Sequence, residues 1–367
     1  MQEAPRGKKV VTPRSRIEDQ LTPTTTAEGG SRTVGPRLLV WLKTNIPDLA
    51  EPITVSQLDG GQSNPTYRIQ SPSGAYALRR KPLGKLLPSA HAIDREYRVM
   101  SALHGTGFPV PRPIVFCDDD EVIGSAFYVM EWIDGRHYWD GTLPQVSARE
   151  RRAIYRAEVS TLAHLHMIDP ETIGLSTYGK PGNYFSRQID RWSKQYRASE
   201  TRRIDPMERL IGWLPATVPP QERVSIVHGD YRLDNLIFSN NDTQVAAVLD
   251  WELSTLGDPL ADFTYFLSHW VIPPDGRSGL AGLDLEALGI PEIEEMVALY
   301  AEQTQRRSLS DLNWYFAYNL YRIACIGQGV IGRVRDGTAA HPLAAEIESR
   351  IEPLARTAWS FAERAGA

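Results

Sequence analysis

HGDYRLDN at residues 228–235, followed by LDWE at 249–252, decides the reading of this chain. The octet sets Asp230 ahead of Asn235, and the second stretch ends an apolar run on Asp250. Phosphoryl transfer to a hydroxyl needs such a set. One carboxylate orients the attacking OH and takes its proton, while an amide and a second carboxylate hold the magnesium that neutralises nucleotide phosphates. Asp230 is therefore the candidate catalytic base. Asn235 and Asp250 complete the catalytic set as candidate metal ligands. A lone Asp in a loop is ordinarily a turn or cap residue, so the octet as a whole carries the reading. His228 reads as structural, bonding the loop backbone. Glu252 stands open between support for the metal site and a surface charge.

The 367 residues suit two lobes with sizeable cores. A net charge of −5 gives no global attraction to nucleic acid or to a membrane surface, so neither is an expected partner. Cys117 and Cys325 lie far apart and lack metal-ligand spacing. That speaks against a disulfide scaffold or a zinc site and fits a reducing, cytoplasmic compartment. No apolar run approaches the roughly 20 residues needed to span a bilayer. Met1 to Arg16 is basic but lacks the apolar core of a secretory signal, and Pro5, Gly7 and Pro13 fit an amphipathic targeting helix poorly. With the Thr-, Gly- and Pro-rich residues 22–35 behind it, this start reads as a tail.

Pro36 to Ile46 reads as a short amphipathic helix. Strand-like pieces follow: ITVSQL at 53–58, TYRIQ at 66–70 and AYALRR at 75–80. The Gly-rich turn DGGQSNP separates the first two, and the hairpin-like SPSG the last two. A helix is expected from about Ala92 to His104, with Ile93, Tyr97, Met100 and Leu103 at helical spacing. PIVFCD and SAFYVMEWI supply two more strands. This order makes a mainly antiparallel sheet with one helix packed on it. Beyond IDGRHYW, helices are expected near 149–168, 184–199, 259–270, 291–307, 311–333 and 343–364. The short strands VSIVH, LIFS and VAAVLD present the two signature loops.

GGQSNPTYRI, YALRRKP, AHAIDREYRVMSAL, FPVPRPI, FYVMEWIDGR, HGDYRLDNLIF and VLDWELSTLGDPLADF follow one another between about residues 52 and 335. Together they resemble the aminoglycoside phosphotransferase-like branch of the kinase fold. Within it they resemble the subgroup found as the kinase part of acyl-CoA dehydrogenase fusion proteins and as free-standing bacterial hydroxyacyl-CoA kinases. The catalytic stretch follows the kinase pattern H-x-D-x-x-x-x-N, with Gly229 where protein kinases carry Arg and Trp251-Glu252 in place of Phe-Gly. The resemblance implies an α+β, bilobal, protein-kinase-like fold. Its parts are a disordered or extended tail at 1–30, an N-lobe at 31–130 with an antiparallel sheet and one main helix, a hinge at 131–136, and a mainly helical C-lobe at 137–367. It also implies ATP and Mg2+ as cofactors and a small-molecule alcohol as acceptor. The first choice of acceptor is a hydroxyacyl-CoA thioester, such as a 4-hydroxyacyl-CoA, with a place in fatty acid catabolism. Aminoglycoside, choline-like and sugar alcohols stay open, as does a scaffold that binds nucleotide without turnover. Protein-kinase activity is disfavoured because no Ala-Pro-Glu element follows Asp250.

On the nucleotide side, the resemblance sets Gly60 and Gly61, with Ser63 and Asn64, over the phosphates. Missing side chains allow backbone N–H groups to approach anionic oxygen. Arg79 departs from the protein-kinase Lys, keeping the charge on a planar fork. Strand alternation puts Ala77 and Arg79 on one face and Leu78 and Arg80 on the other, so Arg80 and Lys81 read as surface or loop charges. Glu96 is the expected ion-pair partner of Arg79. Tyr128 to Ile133 form the expected hinge, where Met130, Glu131 and Ile133 border adenine; core packing accounts for Met130 equally well. Asp258 is expected as a helix cap ahead of Pro259, and Asp262 as an anchor for the catalytic loop.

On the acceptor side, Arg187, Arg191 and Lys194 recur at helical spacing and share one face. Arg197, Arg202 and Arg203 add charge nearby. A basic helix suits an anionic acceptor such as the phosphates of coenzyme A; the alternative is a solvated face. Arg232 joins these as a candidate acceptor contact. Trp192 and Tyr196 either stack on an adenine ring or face the core. The sequence sets no oligomeric state.

Overall fold

The protein, as a computed structural model, is described over residues 21–23, 32–58, 64–82, 92–180, 182–274, 277–309, 311–337 and 344–367, without the side chains of 21–23 and 32–34. It divides into two compact units, Met1–Asp134 and Gly135–Ala367.

The first unit is built on an antiparallel sheet in the order β1-β2-β3-β4-β5-β7-β6. Its main strands are β3 (Thr54–Gln57), β4 (Thr66–Ser71), β5 (Gly74–Arg80), β6 (Pro113–Cys117) and β7 (Phe127–Glu131). Two three-residue strands extend it, β1 (Leu21–Pro23) and β2 (Arg32–Val34), so part of the expected tail is sheet. Residues 1–20 and 24–31 of that tail lie outside the described residues. Alternation along the strands sorts the two faces. Phe127 and Val129 join Ile69 and Leu78 in a buried cluster with Leu38 and Leu42 of α1 (Pro36–Asn45). The other face of β7 meets α2 (Ile93–His104), which also lies against β6. The sheet thus carries a helix on each face rather than one. Arg80 is not a surface charge as expected. It is 6% exposed, its stem follows the apolar Leu78 face, and it donates to Ser125 Oγ at 3.3 Å. Lys81 is exposed.

The second unit is mainly helical. After α3 (Asp120–Ile123) of the first unit come α4 (Ala148–Met167), α5 (Tyr184–Ser199), α6 (Asp205–Ala216), α7 (Leu260–Leu267), α8 (Leu285–Leu288), α9 (Ile293–Gln303), α10 (Asn313–Arg335) and α11 (Ala344–Arg364). Helix α6 escapes the sequence reading because it holds Pro206 and Pro215. Proline suits a first helical turn, where no N–H partner is needed, and here Pro215 sits in the last turn. The helix expected at 259–270 tightens into a 3-10 turn at Ser268–Trp270. Two short antiparallel ladders frame the signature loops: β8 (Ser225–Val227) with β11 (Thr255–Gly257), and β9 (Leu236–Phe238) with β10 (Val245–Val248). Among the described residues, no helix is long and apolar enough to cross a membrane.

Candidate active site

The loop from β8 to β9 carries His228 to Asn235, and Asp262 in the first turn of α7 holds its start. The Asp262 carboxylate accepts the His228 N–H at 2.5 Å and the Gly229 N–H at 2.9 Å. His166 of α4 supports it, with Nε2 3.5 Å from Asp262 Oδ2 and Nδ1 2.6 Å from the Tyr300 hydroxyl. Gly229 has φ +86°, and a Cβ there would stand 2.8 Å from the Leu253 carbonyl oxygen. No side chain fits, which explains glycine where protein kinases carry Arg. Asp258 accepts the Leu260 N–H at 2.9 Å, a capping bond made from one residue before the assigned cap.

His228 bonds the loop backbone. Its Nδ1 accepts the Asp230 N–H at 3.1 Å, so Nε2 carries the ring proton and donates to the Leu249 carbonyl at 2.8 Å. The Leu249 N–H donates to the Asn235 carbonyl at 2.8 Å. Both ends of the octet therefore grip the residue before Asp250. Asp250 lies in the left-handed region, φ 64° and ψ 62°. That costs an L-residue about 1–2 kcal/mol, and Asp tolerates it better than most. Glu252 is half-buried in the 3-10 turn Trp251–Leu253 that follows.

Around Asp230, the Tyr265 hydroxyl donates to Oδ1 at 2.6 Å. Asn235 Nδ2 donates to the Asp230 carbonyl at 2.9 Å and to Oδ2 at 3.2 Å. Burial alone would raise the pKa of Asp230. The Arg232 charge, the Tyr265 hydrogen bond and the Arg322 charge outweigh it and hold the carboxyl below its ordinary value. Arg322 of α10 is itself buried. It donates to the Gly229 carbonyl and lies 4.9 Å from the Tyr265 ring centre and 5.6 Å from that of Trp192. Arg232 pairs with Asp234, which Arg277 also approaches at 3.9 Å. Sequence reasoning singles out neither Tyr265 nor Arg322. They reach the loop from 35 and 93 residues away, and no local pattern marks them.

In the first unit, Glu96 is buried among donors. Arg79 Nε lies 2.9 Å from Oε2, the Tyr128 hydroxyl donates to Oε2 at 2.9 Å, and Asn64 Nδ2 donates to Oε1 at 2.8 Å. Register explains the grouping: Arg79 stands opposite Tyr128 across β5 and β7. Asn64, expected over the nucleotide phosphates, here holds Glu96. Gly60, Gly61 and Ser63 lie outside the described residues. Met130 is buried opposite Ala77, the Glu131 N–H donates to the Arg112 carbonyl at 2.9 Å, and Ile133 is half-buried past the strand end.

Arg191, Lys194 and Arg197 of the basic helix are exposed and Arg187 is half-buried, each with partners close by. Arg187 donates to the Gly182 and Lys180 carbonyls, and Lys194 pairs with Asp190 at 2.8 Å. Arg191 lies over the Trp192 ring. Arg197, Arg202 and Arg203 pair with Glu208, Glu352 and Asp205. Lys194 and Arg203 find acids within four residues in sequence, whereas Glu208 and Glu352 come from other helices. Trp192 and Tyr196 both face the core. A cavity of about 480 Å3 has Arg232 and Tyr265 in its wall, and Arg187, Arg191 and Lys194 are not among its lining residues.

A profile described as "Phosphotransferase enzyme family" matches residues 54–297. Acyl-CoA dehydrogenase family member 10 of Mus musculus is 44% identical over 317 residues, covering 86% of this chain and 30% of its own length. The chain thus spans under a third of that relative. A Ralstonia eutropha crystal structure, provisionally named an aminoglycoside phosphotransferase, is 46% identical with a TM-score of 0.83, covering 91% of this chain and 99% of that one. The crystal structure of spectinomycin phosphotransferase with ADP and spectinomycin shares the fold at 13% identity, with a TM-score of 0.59 over 89% of this chain and 97% of that one. This α+β, bilobal, kinase-like chain belongs to the phosphotransferase enzyme family.

Proposed function

We propose that this phosphotransferase moves the γ-phosphoryl group of ATP, with Mg2+, onto the hydroxyl of a hydroxyacyl-CoA such as a 4-hydroxyacyl-CoA. The observation that carries the chemistry is the Asp230 carboxylate, kept ionised and aimed by Tyr265 and Asn235. The acceptor hydroxyl donates to Asp230, and its oxygen bonds the γ-phosphorus. The bond from that phosphorus to the bridging oxygen breaks, and ADP leaves with the electron pair. The acceptor proton passes to Asp230. A carboxyl held at low pKa is a weak base, so Asp230 first orients the alcohol and takes the proton late, once bonding to phosphorus has made the alcohol acidic.

The donor set fits a hard cation. Asn235 commits its amide nitrogen to Asp230, which leaves Oδ1 as its ligand atom. With the Asp250 carboxylate this makes an all-oxygen pair of the kind magnesium takes. Bound there, Mg2+ supplies positive charge to the phosphates. Arg79, fixed by Glu96, supplies a second charge for phosphate oxygens. Support for nucleotide use comes from the ADP bound by spectinomycin phosphotransferase.

Two observations support the acceptor. The mouse relative bears the name of an acyl-CoA dehydrogenase family member. The cavity walled by Tyr265, the residue bonded to Asp230, also carries Arg232, Arg277 and Arg350. Arg232 and Arg277 share Asp234 and Arg350 pairs with Glu346, so three cations stand against two acids, a balance that favours an anionic thioester over a polycation. Mass spectrometry of reactions with ATP, Mg2+ and 3-, 4- and 5-hydroxyacyl-CoAs, beside free hydroxy acids and kanamycin, tests the reading. One phosphoryl mass gained by a CoA ester supports it. Product on kanamycin alone overturns the acceptor assignment.

A further inference from the structure

Helix α10 is buried almost all round. Between Trp314 and Gly332 the residues that are not buried are Ile323, Ile326, Gly327 and Val330. Their spacing puts them on one face of the helix, and all four line the cavity walled by Tyr265. Helix α11 presents Ile347, Ile351 and Leu354 to the same space. Apolar helix faces ordinarily close on each other, ridge into groove. These two close along much of their length, and together with Val271, Ile272, Pro273 and Pro274 they wall a cavity of about 480 Å3, inside the roughly 300–1,000 Å3 range of small-molecule sites.

Gly327 lines the cavity without a side chain at a point where α10 and α11 come together. Glycine inside a helix is unfavourable against alanine, so its presence asks for a reason. Crowding is not the reason. A Cβ at 327 would meet Ile347 Cγ2 at 3.4 Å and Ile351 Cγ1 at 3.5 Å, ordinary contact distances. At Gly332 of the same helix, by contrast, a Cβ would stand 2.5 Å from that of Ser199. The polar part of the cavity holds Arg232 and Tyr265, and the Tyr265 hydroxyl is 2.6 Å from Asp230. An apolar seam therefore runs from the neighbourhood of the reacting carboxylate.

We infer that the seam between α10 and α11 receives the hydrocarbon chain of the acceptor beyond its hydroxyl-bearing carbon, and that Gly327 sets the longest chain admitted. This rests on the reading of the acceptor as an acyl thioester. Each methylene buried there strengthens transition-state binding on the order of fourfold, until the chain meets the end of the seam.

The test compares kcat/KM for 4-hydroxydecanoyl-CoA and 4-hydroxypentanoyl-CoA, with ATP and Mg2+, in the unsubstituted chain, Gly327→Ala and Gly327→Leu. The long-to-short ratio is expected to fall in the order of side-chain size, by at least tenfold in Gly327→Leu. Circular dichroism melts check the fold, and Gly327→Ala carries the test should the leucine variant unfold. An unchanged ratio in a folded variant, or equal loss on both esters, overturns the seam assignment and leaves the kinase reading standing. Failure of the unsubstituted chain to phosphorylate either ester overturns the acceptor reading and the seam with it.

Discussion

Tyr265 donates its hydroxyl hydrogen to Asp230 Oδ1 across 2.6 Å. Burial of the phenol and the adjacent Asp230 charge push the Tyr265 pKa up, so it remains a donor at every working pH. The bond is charge-assisted, which places it in the stronger class. Tyr265→Phe removes it and keeps the ring beneath Arg322. We expect kcat to fall about ten- to a hundredfold, the equivalent of the roughly 1.5–3 kcal/mol that a hydrogen bond to a charged group contributes. The acid limb of the kcat profile should move to higher pH, because Asp230 loses a group that favours its charged form. An acid limb left in place would separate Tyr265 from the reaction.

Arg79 and Glu96 form a buried pair, 12% and 1% exposed. Arg79→Ala keeps the hydrogen bonds from Tyr128 and Asn64 to the carboxylate and removes the Arg79 charge beside it. Breaking such a pair from one side costs about 3–5 kcal/mol, which urea unfolding would measure. The same variant should raise KM for ATP, and Arg79→Lys should recover more stability than nucleotide affinity, since a point charge replaces a fork. An unchanged KM for ATP in Arg79→Ala would remove Arg79 from the nucleotide site.

Asp258 is buried, and burial pushes its pKa up to about 6. The unfolded value is near 3.9. The folded state therefore binds more protons between those values, and stability from this group is full below the lower value and lost as pH rises through the upper one. The loss is on the order of 3 kcal/mol. Asp258→Asn keeps an acceptor for the Leu260 N–H and removes the titration. Its melting temperature should vary less than that of the unsubstituted chain between about pH 4 and 7. Parallel curves for the two proteins would contradict the burial argument.

The parts of the site that lie close together in sequence were legible. The octet and LDWE place Asp230, Asn235 and the residue before Asp250 in one hydrogen-bonded loop pair. Strand alternation puts Arg79 on the Glu96 side, because period-2 geometry leaves no other face. The parts assembled by packing were hidden. Tyr265 and Arg322 belong to helices whose patterns read as core, and nothing local aims them at the loop. On α5, Asp190 beside Lys194 is a local pairing that the sequence shows, whereas Glu208, which pairs with Arg197, lies in another helix. Arg80 misleads, since a charge at a strand end can lay its stem on an apolar face.

The most direct test of the central claim is Asp230→Asn, with ATP binding by calorimetry and single-turnover phosphoryl transfer to a 4-hydroxyacyl-CoA measured on the same preparation. Asparagine keeps the volume and an acceptor for Tyr265 but cannot take the acceptor's proton. Nucleotide affinity should stay within a few-fold, while transfer should fall by roughly 10²–10⁴, the usual contribution of a positioned acid–base group. Transfer retained near the unsubstituted rate would contradict Asp230 as the residue that orients and deprotonates the alcohol.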